Sequence, residues 1–247
     1  MSTLLRKYIP IHSAQGEKWR SRTTIKTHLK QDFHGRCAYC DDSDSLVDID
    51  FHIEHFAPKT KFPERKYLYQ NLLYACPYCN ESKSEYWVSD DPDINIKDGE
   101  GIVNPCCKDY DSHLGRRKNG CIYPKTGLGE FMYKRLKLYL ARHELFFQIE
   151  RLQRKIDELQ GTAAGDEILP IYKKFREYYE LSAKIKWKKG SVIGRIDAKD
   201  GCEKNVAKSD EKKRGRKNAA LDSLPKKEQI KRITKKVERS QDAHGRR

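Results

Sequence analysis

Two Cys-x-x-Cys pairs restrict the fold of this chain more than any other feature of its sequence. Cys37 and Cys40 form the first pair. Cys76 and Cys79 form the second, and 35 residues separate the two pairs. Each pair presents two thiolates on one tight turn, so together they supply the four sulfur ligands of a tetrahedral zinc site. Such a site has no open position, and we therefore predict a structural Zn²⁺ ion that joins the two ends of an inserted hairpin.

The cellular compartment decides whether closely spaced cysteines bind metal or form disulfide bonds. No stretch of the sequence approaches the roughly 20 apolar residues of a membrane-spanning helix, and the first residues lack the apolar segment of a secretory signal. We therefore expect a soluble, cytoplasmic protein without a membrane partner, in which thiols stay reduced and favour metal binding. Four further cysteines show no pairing pattern and have no assigned role: Cys106, Cys107, Cys121 and Cys202.

The composition indicates a polyanionic partner. Charged residues make up 35% of the chain, apolar residues make up 37%, and the formal net charge is +15. Residues 191–247 contain 18 Lys and Arg against 9 Asp and Glu, with few apolar residues among them. We predict that this segment is a basic, disordered tail. Such a tail strengthens binding to nucleic acid through counterion release without reading the base sequence.

The residues between and just after the cysteine pairs suit the hydrolysis of phosphodiester bonds. This reaction needs an activated water and a metal ion that stabilises negative charge on the phosphate and on the leaving oxygen. His55 carries a side chain whose near-neutral pKa suits it to take a proton from water. Glu54 and Asn80 offer the hard oxygen ligands that Mg²⁺ prefers. We therefore predict a catalytic Mg²⁺ or Mn²⁺ ion on these two residues.

Strand geometry limits how these residues can meet. Adjacent residues of a regular strand point to opposite faces, so Glu54 and His55 can approach one ion only where the strand ends or bulges. Pro58 predicts that the strand ends here. His52 lies two positions before Glu54, so the two side chains point to the same face of the strand. His52 is therefore an alternative base or an additional ligand. A histidine in such a position is more often a hydrogen-bonded neighbour, and we do not assign it to the site.

The segments CAYC, HIEHFAP, NLLYACPYCN and SK resemble, in this order, the HNH (ββα-metal) endonucleases, in particular members whose motif lies between two Cys-x-x-Cys pairs. The resemblance covers about residues 30–85. It implies that His55 is the general base and that Asn71 holds the hairpin and this base in place through hydrogen bonds. It also implies that Glu54 and Asn80 bind the catalytic metal. Many members have Asp where this chain has Glu54, and the longer side chain shifts the expected place of the metal.

Two further expectations concern partners. Lys59 and Lys83 are candidate contacts for the phosphate backbone of a nucleic acid. The stretch Gly101–Gly129 and the helices after it resemble the HNH subunits of bacterial anti-phage defence systems, such as the Septu type and its retron-associated relatives. In those systems the nuclease works with an ATPase of the structural-maintenance type, so the resemblance implies such a partner subunit.

The sequence predicts an α+β protein in which a zinc-stapled ββα-metal (HNH) module is followed by a helical hairpin and a basic, disordered tail. Residues 1–128 contain the module with an N-terminal helix and a loop extension, residues 129–190 contain the hairpin, and residues 191–247 form the tail. The elements expected from the sequence pattern are helices at 16–34, 130–160 and 168–189 and a strand at 45–51. The first helix is expected to stop at Gly35, and a further short helix is expected to open at Asn80. The helix at 130–160 carries an apolar stripe formed by Leu145, Ile149, Leu152, Ile156 and Leu159.

These observations predict a metal-dependent HNH endonuclease that hydrolyses phosphodiester bonds in nucleic acid, with DNA as the expected substrate. The resemblance adds anti-phage defence as its role. One alternative is a zinc-knuckle protein that binds nucleic acid without catalysis, but it leaves the joint presence of Glu54, His55, Asn71 and Asn80 unexplained. Another is a subunit with an inactive nuclease fold that recruits a partner through its helical hairpin. Retention of every polar position of the motif argues against this second alternative.

Overall fold

The computed structural model describes residues 3–13, 20–46, 50–159 and 165–183. These residues form a mixture of helices and strands, and this confirms the predicted α+β class. The predicted basic tail at 191–247 lies outside the described residues. The chain divides into two compact units, and the predicted domain limits stay a prediction.

The first unit lies within Met1–Arg116 and Tyr123–Leu138. Its helices are α1 (Arg22–Asp32), α2 (Pro77–Lys83), α3 (Tyr110–His113) and α4 (Gly127–Arg135). The strands that belong to it wholly or in part are β1 (Thr3–Leu4), β2 (His52–His55), β3 (Leu72–Ala75), β4 (Ile96–Lys97), β5 (Glu100–Gly101), β6 (Leu114–Arg116) and β7 (Ile122–Pro124). The strands β1, β6 and β7 form one sheet, whereas β2 with β3 and β4 with β5 form two antiparallel pairs.

The β2–β3 pair and the helix α2 after it form the centre of the HNH-like segment. The two strands are antiparallel, with His55 opposite Leu72. All four residues of β3 are buried, whereas β2 buries Glu54 and leaves its other residues half-buried. Helix α1 packs against both strands, and its side chains Ile25 and Leu29 are buried. The pair is therefore covered by helices although each strand has only four residues.

Helix α2 begins earlier than the sequence predicts. The pattern favours a helix that opens at Asn80, but the helix starts at Pro77. Proline has a backbone dihedral suited to the first helical position. Cys76 is the N-cap, and its Sγ accepts a hydrogen bond from the N–H of Cys79 at 3.5 Å. As a result, Asn80 lies inside the helix rather than at its start.

Helix α1 is shorter than its prediction, although its end is confirmed. It begins after Ser21, whose hydroxyl accepts a hydrogen bond from the N–H of Thr24 at 3.3 Å. Residues 16–19 of the predicted helix lie outside the described residues. Gly35 has a φ of +65°, and its N–H donates to the carbonyl of Lys30 at 2.7 Å. Gly35 therefore ends the helix as predicted. A residue in the left-handed conformation turns the chain so that its N–H can donate to a carbonyl of the last helical turn.

The strand expected over residues 45–51 is wrong where the structure describes it. A 3₁₀ helix spans Asp44–Leu46, and strand β2 begins only at His52. The carboxylate of Asp44 accepts a hydrogen bond from the hydroxyl of Tyr74 at 2.6 Å and forms an ion pair with Lys30 at 2.9 Å. These contacts fix the chain in a turn before the strand, and alternation of acidic and apolar residues does not reveal them.

The helix expected over residues 130–160 consists of two helices. Helix α4 ends at Arg135, and helix α5 spans Ala141–Leu159. Lys137 in the intervening turn has a φ of +53°, which a continuous helix does not allow. The N–H of Leu138 donates to the carbonyl of Tyr133 at 2.9 Å, so this carbonyl in the last turn of α4 has a hydrogen-bond partner.

The second unit lies within Arg117–Ile122 and Tyr139–Arg247 and contains α5 and α6 (Gly165–Ala183), which pack against each other. The predicted apolar stripe of α5 is buried at Leu145, Ile149, Leu152 and Ile156. Helix α6 buries Ile171 and Tyr178. Among the helices of the described residues, none combines the length and apolar character that crossing a membrane requires.

Candidate zinc site and candidate nuclease site

The two cysteine pairs meet in one cluster, as the sequence predicts. The Sγ atoms of the four residues lie within 4.8 Å of one another, and that of Cys40 is 3.8 Å from that of Cys76. Four Zn–S bonds of about 2.3 Å in a tetrahedron separate the sulfur atoms by about 3.8 Å. The donor set and the size of the cluster therefore fit Zn²⁺, and the four cysteines form the zinc site of the HNH-like segment.

The surroundings of the cluster favour metal binding over exposed thiols. All four cysteines are buried. Burial raises the pKa of Cys40 and of Cys79 well above the usual range, so thiolates form here when a cation compensates their charge. The N–H of Cys76 points to the sulfur of Cys37 at 3.3 Å. We therefore expect zinc binding to stabilise the fold of this segment.

His55 lies at the last position of β2, with its ring half-buried. Its Nε2 is 3.1 Å from the carbonyl oxygen of Lys66. A carbonyl oxygen only accepts hydrogen bonds, so Nε2 carries the hydrogen and Nδ1 is the basic nitrogen of the ring. Burial, with help from the charge of Lys59, lowers the pKa of His55 to about 4. The ring is therefore neutral near pH 7, which is the state that a general base needs.

Asn71 is buried and closes the loop that carries the hydrogen-bond partner of His55. Its Oδ1 accepts from the N–H of Ala57 at 2.8 Å, and its Nδ2 donates to the carbonyl of the same residue at 3.0 Å. Nδ2 also lies 3.2 Å from the carbonyl oxygen of Arg65, next to Lys66. The side chain thus fixes both ends of the loop between β2 and β3 and, through it, the orientation of the His55 ring.

Glu54 faces away from His55 and forms a buried ion pair. Its Oε1 lies 2.8 Å from Nζ of Lys83 and 3.4 Å from the hydroxyl of Tyr39. The side chains of Glu54 and Lys83 are only 6% and 0% exposed. Burial raises the pKa of Glu54, and the Lys83 ammonium opposes that shift. As a metal ligand, Glu54 stays a prediction from the resemblance.

Lys83 points towards the strand pair. Its side chain is fully buried, and its Nζ donates to the carbonyl of His55 at 3.1 Å in addition to pairing with Glu54. These contacts give Lys83 a structural role, and its contact with a nucleic-acid backbone stays a prediction.

Asn80, the other predicted ligand, contacts a different residue of β2. Its Nδ2 donates to Nδ1 of His52 at 2.9 Å, and both side chains are half-buried. The structure therefore gives the two predicted ligands different partners, with Glu54 beside Lys83 and Asn80 beside His52. The sequence singled out His52 by its strand parity but did not assign it to the site.

Exposed cations and one aromatic ring lie near His55. Lys59 and Lys66 are exposed, and both charges contribute to the lowered pKa of His55. The Lys66 ammonium is 4.9 Å from the centre of the Tyr67 ring, and the Arg20 guanidinium is 5.7 Å from it. Cations interleaved with an aromatic ring suit the backbone and bases of nucleic acid. Sequence reasoning missed Lys66 and Tyr67, although their alternation of basic and aromatic residues was a usable signal.

This arrangement combines a four-cysteine zinc site, an antiparallel strand pair, a following helix and a histidine at the strand end. Residues 37–85, which include all these parts, match the HNH endonuclease family. The segment is therefore an HNH domain, and the prediction of this domain is confirmed.

Similarity also extends beyond the domain. Over 202 residues the chain is 27% identical to the Septu protein PtuB of Bacillus mycoides (strain KBAB4). The similar region covers 70% of this chain and 66% of that relative, just under two thirds of the length of the relative. The likeness to Septu-type proteins that the sequence motifs predict is thus confirmed at the level of sequence similarity.

Proposed function

We propose that this chain is a metal-dependent endonuclease that hydrolyses phosphodiester bonds in DNA, with His55 as its general base. The orientation of the His55 ring carries the proposal. Its hydrogen bond to the carbonyl of Lys66 makes Nδ1 the proton-accepting nitrogen, at the end of a strand in an HNH domain. The alternative of a protein that binds nucleic acid without catalysis offers no reason for this arrangement.

In the proposed reaction, Nδ1 of His55 takes a proton from a water molecule while the oxygen of that water attacks the phosphorus atom. The bond from phosphorus to the 3′ oxygen breaks, and that oxygen takes a proton from solvent, which leaves a 5′-phosphate and a 3′-hydroxyl, as the resemblance implies. Asn71 keeps the loop closed and so keeps the ring in its orientation. Asn80 would hold a Mg²⁺ or Mn²⁺ ion, whose charge stabilises the phosphate and the leaving oxygen. The resemblance assigns the second ligand to Glu54, which pairs with Lys83 in this structure.

Binding of nucleic acid is proposed to depend on phosphate contacts. Lys59 and Lys66 are exposed beside His55 and carry the charge that such contacts need. No element that reads bases in a groove is visible among the described residues. Contacts to phosphate position a nucleic acid without reading its sequence, and they weaken as salt increases.

We further propose that the nuclease acts in anti-phage defence together with an ATPase partner subunit. The similarity to the Septu protein PtuB supports this role, and it covers most of the present chain.

Cleavage of supercoiled plasmid tests the proposed function. Wild-type protein and the variant His55→Ala are incubated with plasmid and Mg²⁺ or Mn²⁺, with and without chelator. The matched control is His28→Ala, because His28 lies on α1 and donates to the carbonyl of Thr24 in its own helix. We expect metal-dependent nicking by wild type and by the control and none by His55→Ala.

The assay is then repeated with the ATPase partner and ATP, since a defence nuclease can require its partner for activity. Equal cleavage by wild type and His55→Ala contradicts the role of His55. Plasmid binding without cleavage by the wild type, with and without the partner, supports the alternative of a non-catalytic nucleic-acid-binding protein.

A further inference from the structure

We infer that a cavity next to the loop between β2 and β3 binds an unpaired nucleobase, presented by the nucleic-acid strand that the nuclease cleaves. The inference rests on the proposed function, because it adds a contact to the same substrate. The cavity has a volume of about 460 Å³, and small-molecule sites commonly have about 300–1,000 Å³. Its lining residues come from the loop between β2 and β3 and from the segment 87–109, so all of them belong to the first unit.

Aromatic side chains in fixed positions line the cavity. Phe56 and Trp87 are lining residues, and their ring centres are 5.2 Å apart with the rings nearly perpendicular. The Trp87 ring also lies edge to face with Phe62 at 5.9 Å. Its Nε1 donates to the carbonyl of Asp91 at 2.9 Å, so the polar atom of the indole has a partner in the protein. Nucleobases of any sequence stack on such rings, because every base has a π face.

Side-chain amides give the cavity oriented hydrogen-bonding groups. Asn95 and Asn104 are half-buried lining residues, and Gln70 supplies a third amide. Nδ2 of Asn95 donates to the carbonyl of Ile102 at 2.9 Å, which leaves Oδ1 as an acceptor. Oδ1 of Asn104 accepts from the N–H of Cys106 at 2.9 Å, which leaves Nδ2 as a donor. The edge of a nucleobase presents both donors and acceptors, so these amides match it.

The charges of the cavity favour a base over a phosphate. Among the described residues that line it, Arg65 is a cation, whereas Asp93 and Asp109 carry negative charge. The guanidinium of Arg65 lies 2.7 Å from the carboxylate of Asp93 and is compensated by it. A phosphate in the cavity would therefore meet an excess of negative charge and be repelled. An uncharged planar base meets no such repulsion.

The cavity shares residues with the loop that orients His55. Asn71 lines it, and Nδ2 of Asn71 lies 3.2 Å from the carbonyl oxygen of Arg65. The carbonyl of the next residue, Lys66, accepts the hydrogen bond of the His55 ring. The exposed side chains of Lys59 and Lys66 belong to the same loop. A strand whose phosphates contact these lysines therefore passes the cavity, and one base that has left its stack occupies it.

Binding of labelled single-stranded DNA without Mg²⁺ or Mn²⁺ tests the inference. A natural strand is compared with a strand of the same length in which every nucleotide is abasic, so both carry the same phosphates. Ile96 and Ile94 offer matched variants. They are 39% and 45% exposed on the same segment, but of the two only Ile96 lines the cavity. Ile96→Glu puts a charged side chain at the cavity, and Ile94→Glu adds the same charge outside it.

The measured quantity is the ratio of the affinities for the natural and the abasic strand. Stacking of one base on an aromatic ring strengthens binding by about 5–150-fold, so we expect at least such a ratio for wild type and for Ile94→Glu. The ratio should fall by about 5-fold or more in Ile96→Glu. Stacking of another base on Tyr67 contributes equally in both variants and cancels in this comparison.

Tryptophan fluorescence distinguishes a base of the strand from a free nucleotide. In the double variant Trp19→Phe/Trp187→Phe, Trp87 is the sole tryptophan of the chain. We expect the natural strand to quench its emission at much lower concentration than nucleoside monophosphates do, because lysine contacts to several phosphates assist the strand. Quenching by monophosphates, with equal binding of the natural and the abasic strand, would overturn the assignment to the substrate strand and leave a site for a free nucleotide.

Equal affinity ratios in Ile96→Glu and Ile94→Glu, without quenching of Trp87, overturn the inference. If Ile96→Glu does not fold, as judged by zinc content and circular dichroism, Asn104→Asp replaces it, because its carboxylate still accepts from the N–H of Cys106 while the donor is lost. His55→Ala should keep the affinity ratio of wild type. Base-dependent binding by a wild type that never cleaves plasmid contradicts the proposed nuclease and leaves the base site. Cleavage without base-dependent binding contradicts the base site alone.

Discussion

The buried ion pair of Lys83 and Glu54 makes a strong prediction about stability, because the same unit of the chain contains an exposed pair with the same N–O distance. Lys83 Nζ lies 2.8 Å from Glu54 Oε1, with side chains 0% and 6% exposed. Lys134 Nζ also lies 2.8 Å from Glu130 Oε1, but these side chains are 65% and 40% exposed. The exposed pair lies within one helix, whereas the buried pair joins β2 and α2, where Lys83 also donates to the carbonyl of His55.

The expected magnitudes differ by roughly tenfold. Removing one partner of a buried pair costs about 3–5 kcal/mol, because the other charge stays buried without compensation. Exposed pairs spaced four residues apart on a helix contribute about 0.3–0.5 kcal/mol. We therefore expect Lys83→Met to lower the free energy of unfolding by about 3–5 kcal/mol and Lys134→Met to lower it by under about 1 kcal/mol. The double variant Glu54→Gln/Lys83→Met should recover much of the loss.

Urea unfolding at a fixed free zinc concentration measures these differences. The pH dependence adds a second check. Burial already raises the pKa of Glu54, and removal of the ammonium raises it further. When the pKa of a carboxyl is higher in the folded than in the unfolded protein, the free energy of unfolding falls as pH rises. The variant Lys83→Met should therefore be less destabilised, relative to wild type, near pH 5 than near pH 8. If Lys83→Met and Lys134→Met unfold at the same urea concentration, the reasoning about burial is refuted.

The remaining predictions concern the zinc site, the base and the phosphate contacts. Cys79→Ser should reduce the zinc content of the purified protein and abolish cooperative unfolding of the first unit, because zinc binding in zinc-finger peptides contributes about 10–16 kcal/mol to folding; normal zinc content and unfolding would contradict the four-sulfur site. Because the pKa of His55 is lowered to about 4, its neutral form persists well below pH 6.5 and is lost only as pH falls through about 4. The pH profile of kcat/KM should therefore show no step centred near the ordinary histidine value of about 6.5, and such a step would show that the ring is not desolvated in solution. Replacing both Lys59 and Lys66 by Ala should weaken DNA binding and reduce the slope of log affinity against log salt by about 0.9 for each phosphate that is no longer neutralised; Lys97→Ala, an exposed lysine on β4, is the control and should leave that slope unchanged.

Features encoded by neighbouring residues could be predicted from the sequence. The spacing within each cysteine pair determines which side chains share one turn, so the four-cysteine cluster required no knowledge of tertiary packing. The C-terminal stop of α1 at Gly35 is also local, because it depends on the dihedral freedom of one residue. The resemblance to HNH endonucleases added the order of the motif and hence the domain that residues 37–85 form.

The partners of individual polar side chains could not be predicted in the same way. Placing the start of α2 at Asn80 leaves Lys83 in the first exposed turn of a helix, where a phosphate contact is plausible. The helix instead begins at Pro77, since Cys76 caps it while serving the zinc site. Within this helix Lys83 faces β2 and pairs with Glu54. The side of α2 that faces the strand pair depends on tertiary packing, which the residues around Lys83 do not reveal.

Strand parity also limits the mechanism that the proposed residues can perform. His52 points to the face of β2 that packs on α2, whereas His55 points to the opposite face and contacts the loop at Lys66. Asn80 extends from α2 towards the same face as His52. Nδ1 of His55 and a cation held by Asn80 would therefore meet one phosphate only at the end of the strand. There His55 would take a proton from the attacking water, and the cation would supply charge stabilisation for the phosphate and the leaving oxygen. Replacing Mg²⁺ by Mn²⁺ or Co²⁺ should consequently change the rate of cleavage without moving the pKa of the attacking step, because that pKa belongs to His55 and not to a metal-bound water.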